Sequence, residues 1–63
     1  MNKVDRLIKM RDAALRRSDK ADEMSRRFQR VGKIEEAIVY SGKAFLELGK
    51  AKGIQRALQV FNS

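Results

Sequence analysis

With 63 residues and no cysteine, histidine or proline, the chain has room for one domain at most, without a disulfide or a zinc site of the usual kind. Its formal charge is +7, from 15 Lys and Arg against 8 Asp and Glu, which favours anionic partners: nucleic acid, an acidic protein face or a membrane surface. Without His or Cys the usual nucleophile–base pairs are missing, so we expect no enzyme, no catalytic residue, no metal and no cofactor.

Ala, Leu, Lys, Arg, Glu, Gln and Met dominate the composition, and these are strong helix formers. Only Ile38-Val39-Tyr40 reads like a strand, and it sits inside a helical pattern. The expected fold class is therefore all-α, as a single helical domain over residues 1–63. The start of the chain lacks the apolar run of a signal peptide. The longest apolar runs, 37–40 and 44–46, fall far short of the about 20 residues of a membrane span. A cytoplasmic protein is the expectation, with a basic amphipathic helix on an anionic membrane as the least favoured of three classes.

The first helix is expected at about 3–30. Its apolar positions include Val4, Ile8, Met10, Leu15 and Met24, and Leu7, Ala14, Ala21 and Phe28 recur every seven residues. Such a repeat suits a helix wrapped gently on another. Gly32 can take the left-handed conformation that ends a helix. Arg26, Arg27 and Arg30 lie in the last turns, where cations suit the helix dipole. Ser18-Asp19 could also cap a new helix start, which would split the segment there.

A turn at about 31–33 leads to a second helix from about 34, with Glu35 and Glu36 on the side of the dipole that favours acids. Its main apolar face is Ile34, Ala37, Ile38, Ser41, Ala44, Phe45, Leu48 and Ala51, continuing to Leu58 and Phe61. The small residues at 37, 41 and 44 let a partner helix approach closely. Two long helices joined by a short connection form an antiparallel hairpin. A lone hairpin has little core, so it should self-associate, as a dimer or larger helical bundle, or fold its C-terminus back as a third helix.

Gly49 and Gly53 bear on that choice, because glycine costs about 1 kcal/mol against alanine inside a helix. One reading ends the helix at about residue 48 and starts a short last helix at about 54–61. The other keeps one helix with a second stripe on its far side: Val39, Gly42, Leu46, Gly49, Gly53, Ala57 and Val60, spaced 3, 4, 3, 4, 4 and 3. A helix apolar on both sides is covered on both sides. Val39, Gly42, Leu46, Gly49, Gly53 and Val60 are the candidate self-association interface.

A basic ridge is the second candidate surface. Lys9, Arg16, Lys20 and Arg27 share one face of the first helix, away from its apolar stripe. Such a row can follow a phosphate backbone and make binding salt-dependent. It also reads as a solvent face, since Asp5–Lys9, Asp12–Arg16, Asp22–Arg26 and Glu23–Arg27 are acid-then-base pairs at i, i+4. Gly32-Lys33 and Gly42-Lys43 lack the context of a phosphate-binding loop.

Residues 21–48 resemble a tetratricopeptide-type helical hairpin. The likeness rests on Gly32-Lys33-Ile34-Glu35-Glu36-Ala37-Ile38, on Lys43-Ala44-Phe45-Leu46-Glu47-Leu48, and on Phe28 where an aromatic is usual. The microtubule-interacting-and-trafficking three-helix domain is similar to the same stretch. These resemblances imply a scaffold that binds a peptide or helix. The expected function is a non-enzymatic helical interaction module, a small regulatory or accessory protein that self-associates and docks a protein partner. The alternative is a small basic protein that contacts DNA or RNA as a dimeric hairpin.

Overall fold

The computed structural model describes residues 2–62, so Met1 and Ser63 lie outside the described residues. Two helices make up the fold: α1 over Lys3–Arg30 and α2 over Ile34–Asn62. The start of α1 is capped by Asn2, whose side-chain oxygen accepts from the Asp5 backbone N–H at 2.8 Å. This satisfies one of the donors that a helix start leaves without partners. The helix passes through Ser18-Asp19 without a break. Ser18 does not cap, because its hydroxyl is used across the helix pair.

The turn follows from Gly32. Its φ is +80°, a conformation that costs other residues roughly 1–2 kcal/mol. The Lys33 N–H donates to Phe28 O at 2.8 Å and the Gly32 N–H to Gln29 O at 3.1 Å. Together they close the last turn of α1 in the paired pattern of a glycine-terminated helix. The first bond of α2 runs from Ala37 N–H to Lys33 O, with Glu35 and Glu36 in the first turn.

α2 does not break at Gly49 or Gly53 and there is no third helix among the described residues, which corrects the reading that ends it at residue 48. The reason is continuity of packing. Ala37, Ala44, Ala51 and Leu58 repeat every seven residues, and Ala37, Ala51 and Leu58 are buried. Ending the helix at Gly49 would forfeit the last two of these, an apolar loss of about 2–4 kcal/mol that exceeds the roughly 2 kcal/mol propensity cost of Gly49 and Gly53.

The seam between the helices is made of small side chains. On α1 it holds Ala14, Ser18, Ala21 and Ser25, all buried, spaced 4, 3 and 4. The helices lie close enough for hydroxyls on one to reach carbonyls on the other. Ser18 Oγ donates to Ala44 O at 3.0 Å, and Ser25 Oγ donates to Ala37 O at 2.8 Å. The Ser41 hydroxyl completes the group at 2.7 Å from Ser25 Oγ. No buried side-chain polar atom among the described residues lacks a partner, so the seam is polar without the penalty of unmet hydrogen bonds.

Larger groups close the two ends. Phe28 and Tyr40 stack near the turn with centroids 5.5 Å apart, and Leu58 is buried near the chain termini. Arg17 reaches Glu47 at 3.0 Å on one flank, and Arg11 reaches Gln55 at 2.8 Å on the other. Such exposed links contribute little each, but they tie both flanks in one antiparallel register.

The product is a rod whose Cα trace measures 46 × 18 × 11 Å. Its radius of gyration is 14.4 Å, against about 11 Å for a compact chain of this length. The accessible surface is 5058 Å². A compact monomeric protein of 7.2 kDa has about 4,100 Å², so the hairpin exposes about 900 Å² more.

Much of the expected main face of α2 is part of that surplus. Ile34, Ile38, Phe45 and Phe61 were placed with Ala37 and Leu58 by periodicity, yet all four are exposed, Phe45 by 76% and Ile38 by 65%. Met10, Leu15 and Val31 of the first segment are exposed as well. Close approach at the alanines and serines leaves a narrow seam, and the bulky neighbours fall outside it.

Candidate interaction surfaces

Three surfaces remain outside the seam: the far side of α2, the far side of α1, and the grooves along the two flanks where the helices meet. Each is fixed by the seam, because helical spacing sets which side chains point away from it.

The far side of α2 carries the stripe expected for self-association. Val39, Gly42, Leu46, Gly49, Gly53 and Val60 are all exposed, with Val39 at 54%, Leu46 at 65% and Val60 at 70%. The glycines among them have no structural need to be glycine within one chain. A methyl group added at Gly42, Gly49 or Gly53 would meet nothing within 4 Å. The helix thus bears three costly residues whose smallness nothing inside the hairpin uses.

The far side of α1 carries the basic ridge. Lys9, Arg16, Lys20 and Arg27 are exposed. Two of the four expected i, i+4 pairs form: Arg26 with Asp22 at 3.3 Å and Arg27 with Glu23 at 3.2 Å. The other two do not. Asp12 turns to its neighbour Arg11 at 3.1 Å, and Asp5 sits beyond ion-pairing distance of Lys9. Among the described residues no carboxylate pairs with Lys9, Arg16 or Lys20, so the ridge is less neutralised than its sequence implies.

The flank grooves were not anticipated, because each is assembled from both helices. One is a row of three adjoining open hollows, the first of about 630 Å³ beside Leu7, Met10, Ile54 and Ala57, the second beside Ala21 and the third beside Met24 and Tyr40; Gly53 and Leu46 of the far-side stripe form part of its rim. Its walls carry Arg17, Lys20, Lys43 and Lys50 against a single carboxylate, Glu47. Glu47 lies between Arg17 at 3.0 Å and Lys50 at 3.6 Å. Lys43 stands 4.7 Å over the Tyr40 ring. The opposite flank has Leu15, Phe45 and Leu48 with Arg11 and Lys52 balanced by Asp19 and Asp22. Of the two flanks, this one therefore holds the excess of cations, four against one carboxylate, and the opposite one holds two of each sign.

Among the described residues no cluster of acidic side chains could hold a metal ion. Among the same residues no helix is long and apolar enough to cross a membrane. Comparison with protein-family models, with curated proteins and with solved structures gives no match.

Proposed function

We propose that this protein is a non-enzymatic helical interaction module that pairs with a second copy of itself through the far side of α2 and docks a protein partner. The observation that carries this reading is the exposed stripe of Val39, Leu46 and Val60 interleaved with glycines that the hairpin itself does not need. Glycines at helical spacing let a second backbone approach closely, and the apolar side chains beside them fill the space around it. Area supports the same conclusion. The surplus of about 900 Å² over a compact monomer is close to the roughly 800 Å² that each partner contributes to an interface of standard size.

Sedimentation velocity tests the pairing. The native chain should sediment as two copies at micromolar concentration. Val39→Glu, which sets a charge in the stripe, and Gly49→Leu, which blocks close approach, should each return it to the mass of one chain while keeping its helical circular dichroism. A native chain that stays at 7.2 kDa across that range would remove the proposal.

A second reading is favoured by the unpaired cations of α1. Lys9, Arg16 and Lys20, free of carboxylate partners, with Arg27 beside them, form a row that suits a duplex backbone. Affinity for duplex DNA or RNA should then fall steeply with salt, and the Lys9→Ala/Arg16→Ala double variant should flatten that slope by about 2 in log–log form. No binding at low salt excludes this reading.

A further inference from the structure

We propose that the basic flank groove is the docking site for a foreign acidic amphipathic helix, laid lengthwise between α1 and α2. The inference rests on the reading of the hairpin as an interaction module and names the chemistry of its partner.

The shape of the groove comes first. From Leu7 to Met24 is 17 residues of α1, about 26 Å at 1.5 Å per residue. A partner helix of about the same number of residues would run that length, over the Arg17–Glu47 pair that bridges α1 and α2 part-way along. The floor is apolar, with Leu7 and Ile54 at one end and Ala21 further along, below Leu46 on the rim. Met10 and Met24, the only methionines among the described residues, both line it. Methionine is flexible and polarisable, and it is favoured where a surface must adapt to the side chains of an incoming helix.

Charge then selects the occupant. Four cations stand along the walls against Glu47 alone, which already serves Arg17 and Lys50. Lys20 and Lys43 have no carboxylate partner among the described residues. A helix with Leu-type residues on one face and Glu or Asp on its shoulders would cover the floor and pair with both lysines. A second copy of this chain is a poorer complement, since its other flank is charge-balanced and the stripe on α2 is uncharged. A phosphate backbone has nothing to cover the leucine and methionine floor.

The test uses a synthetic peptide of about 18 residues with leucines at i, i+3, i+4 and i+7 and glutamates beside them. Controls are the same peptide with lysine for glutamate, a scrambled acidic peptide, duplex DNA, and vesicles of phosphatidylglycerol with phosphatidylcholine. The acidic amphipathic peptide should bind the native protein, and the lysine and scrambled forms should not. The Lys20→Glu/Lys43→Glu variant should lose affinity about tenfold or more. Arg11→Glu/Lys52→Glu, which changes net charge equally on the opposite flank, should retain it. Absence of binding, equal binding of the lysine peptide, equal loss in the two double variants, or binding to vesicles or DNA but not to the peptide each overturn the proposal. The titration is repeated on Val39→Glu. Leu46 and Gly53 border both surfaces, so on the monomeric Val39→Glu chain the peptide should bind at least as tightly as on the native protein, and the loss from Lys20→Glu/Lys43→Glu should persist there, which separates failure of the groove from failure of self-association.

Discussion

Leu58→Ala is expected to leave the hairpin on the edge of unfolding at room temperature. Among the described residues the buried apolar set is Ala14, Ala21, Ala37, Ala51 and Leu58, and only the last is large. Truncating a buried leucine costs about 2–5 kcal/mol. A chain of this length has a total stability of roughly 3–9 kcal/mol. For so small a domain each kcal/mol lowers the melting temperature by about 4–8 °C, so even the low end of the cost means a drop of about 10 °C. Thermal melting followed by circular dichroism measures it. A drop of a degree or two would mean that the last turns of α2 do not dock on α1.

Ser25→Leu should be nearly as damaging, for the opposite reason. Ser25 is the most deeply buried serine, 2% exposed, and its hydroxyl bridges to Ala37 O and Ser41 Oγ. Leucine removes that bridge, at about 1 kcal/mol, and forces bulk between helices held at serine and alanine distance, at about 1–3 kcal/mol more. Wedging the helices apart at residue 25 also strains the Phe28–Tyr40 stack one turn away. Ser25→Ala, which loses only the bridge, should fall between native and Ser25→Leu in urea denaturation. If the leucine variant proved the more stable, the close seam would be disproved.

The hairpin was legible because its signals are local. The arginines of the last turns followed by Gly32 mark where α1 stops, and the structure has its turn there with a positive φ. Ala14 and Ala21 on α1, and Ala37, Ala44 and Ala51 on α2, announce a close helix pair by their heptad spacing. Ser18 reads locally as a helix cap and Ser25 as a solvent residue, because serine on α1 adds nothing to an apolar pattern, yet both are buried in the seam. The 4, 3, 4 spacing of small residues from Ala14 to Ser25 was the signal that could have revealed them.

The breadth of α2 was harder to resolve. Ala37 and Ile38 are neighbours, and hydrophobicity favours burying the isoleucine, yet the structure buries the alanine. Smallness decided the outcome, because the seam selects for close approach over apolar volume. Gly49 and Gly53 misled in the same manner: local propensity argued for a break, and the burial of Ala51 and Leu58 overrode it. The stripe on the far side of α2 was readable from one helix alone. The basic groove was not, since Lys20 and Lys43 meet across it only once the register of the pair is known.

The imbalance between the two flanks has an electrical consequence. Where the centre of positive charge is displaced sideways from the long axis of a rod, the rod has a transverse dipole and feels a torque in an external field. Within about a Debye length, roughly 8–10 Å, an anionic partner would meet the molecule more often with the Lys20 and Lys43 flank turned toward it. The bias would extend to the adjoining row of Lys9, Arg16 and Arg27, and it would weaken as salt rises.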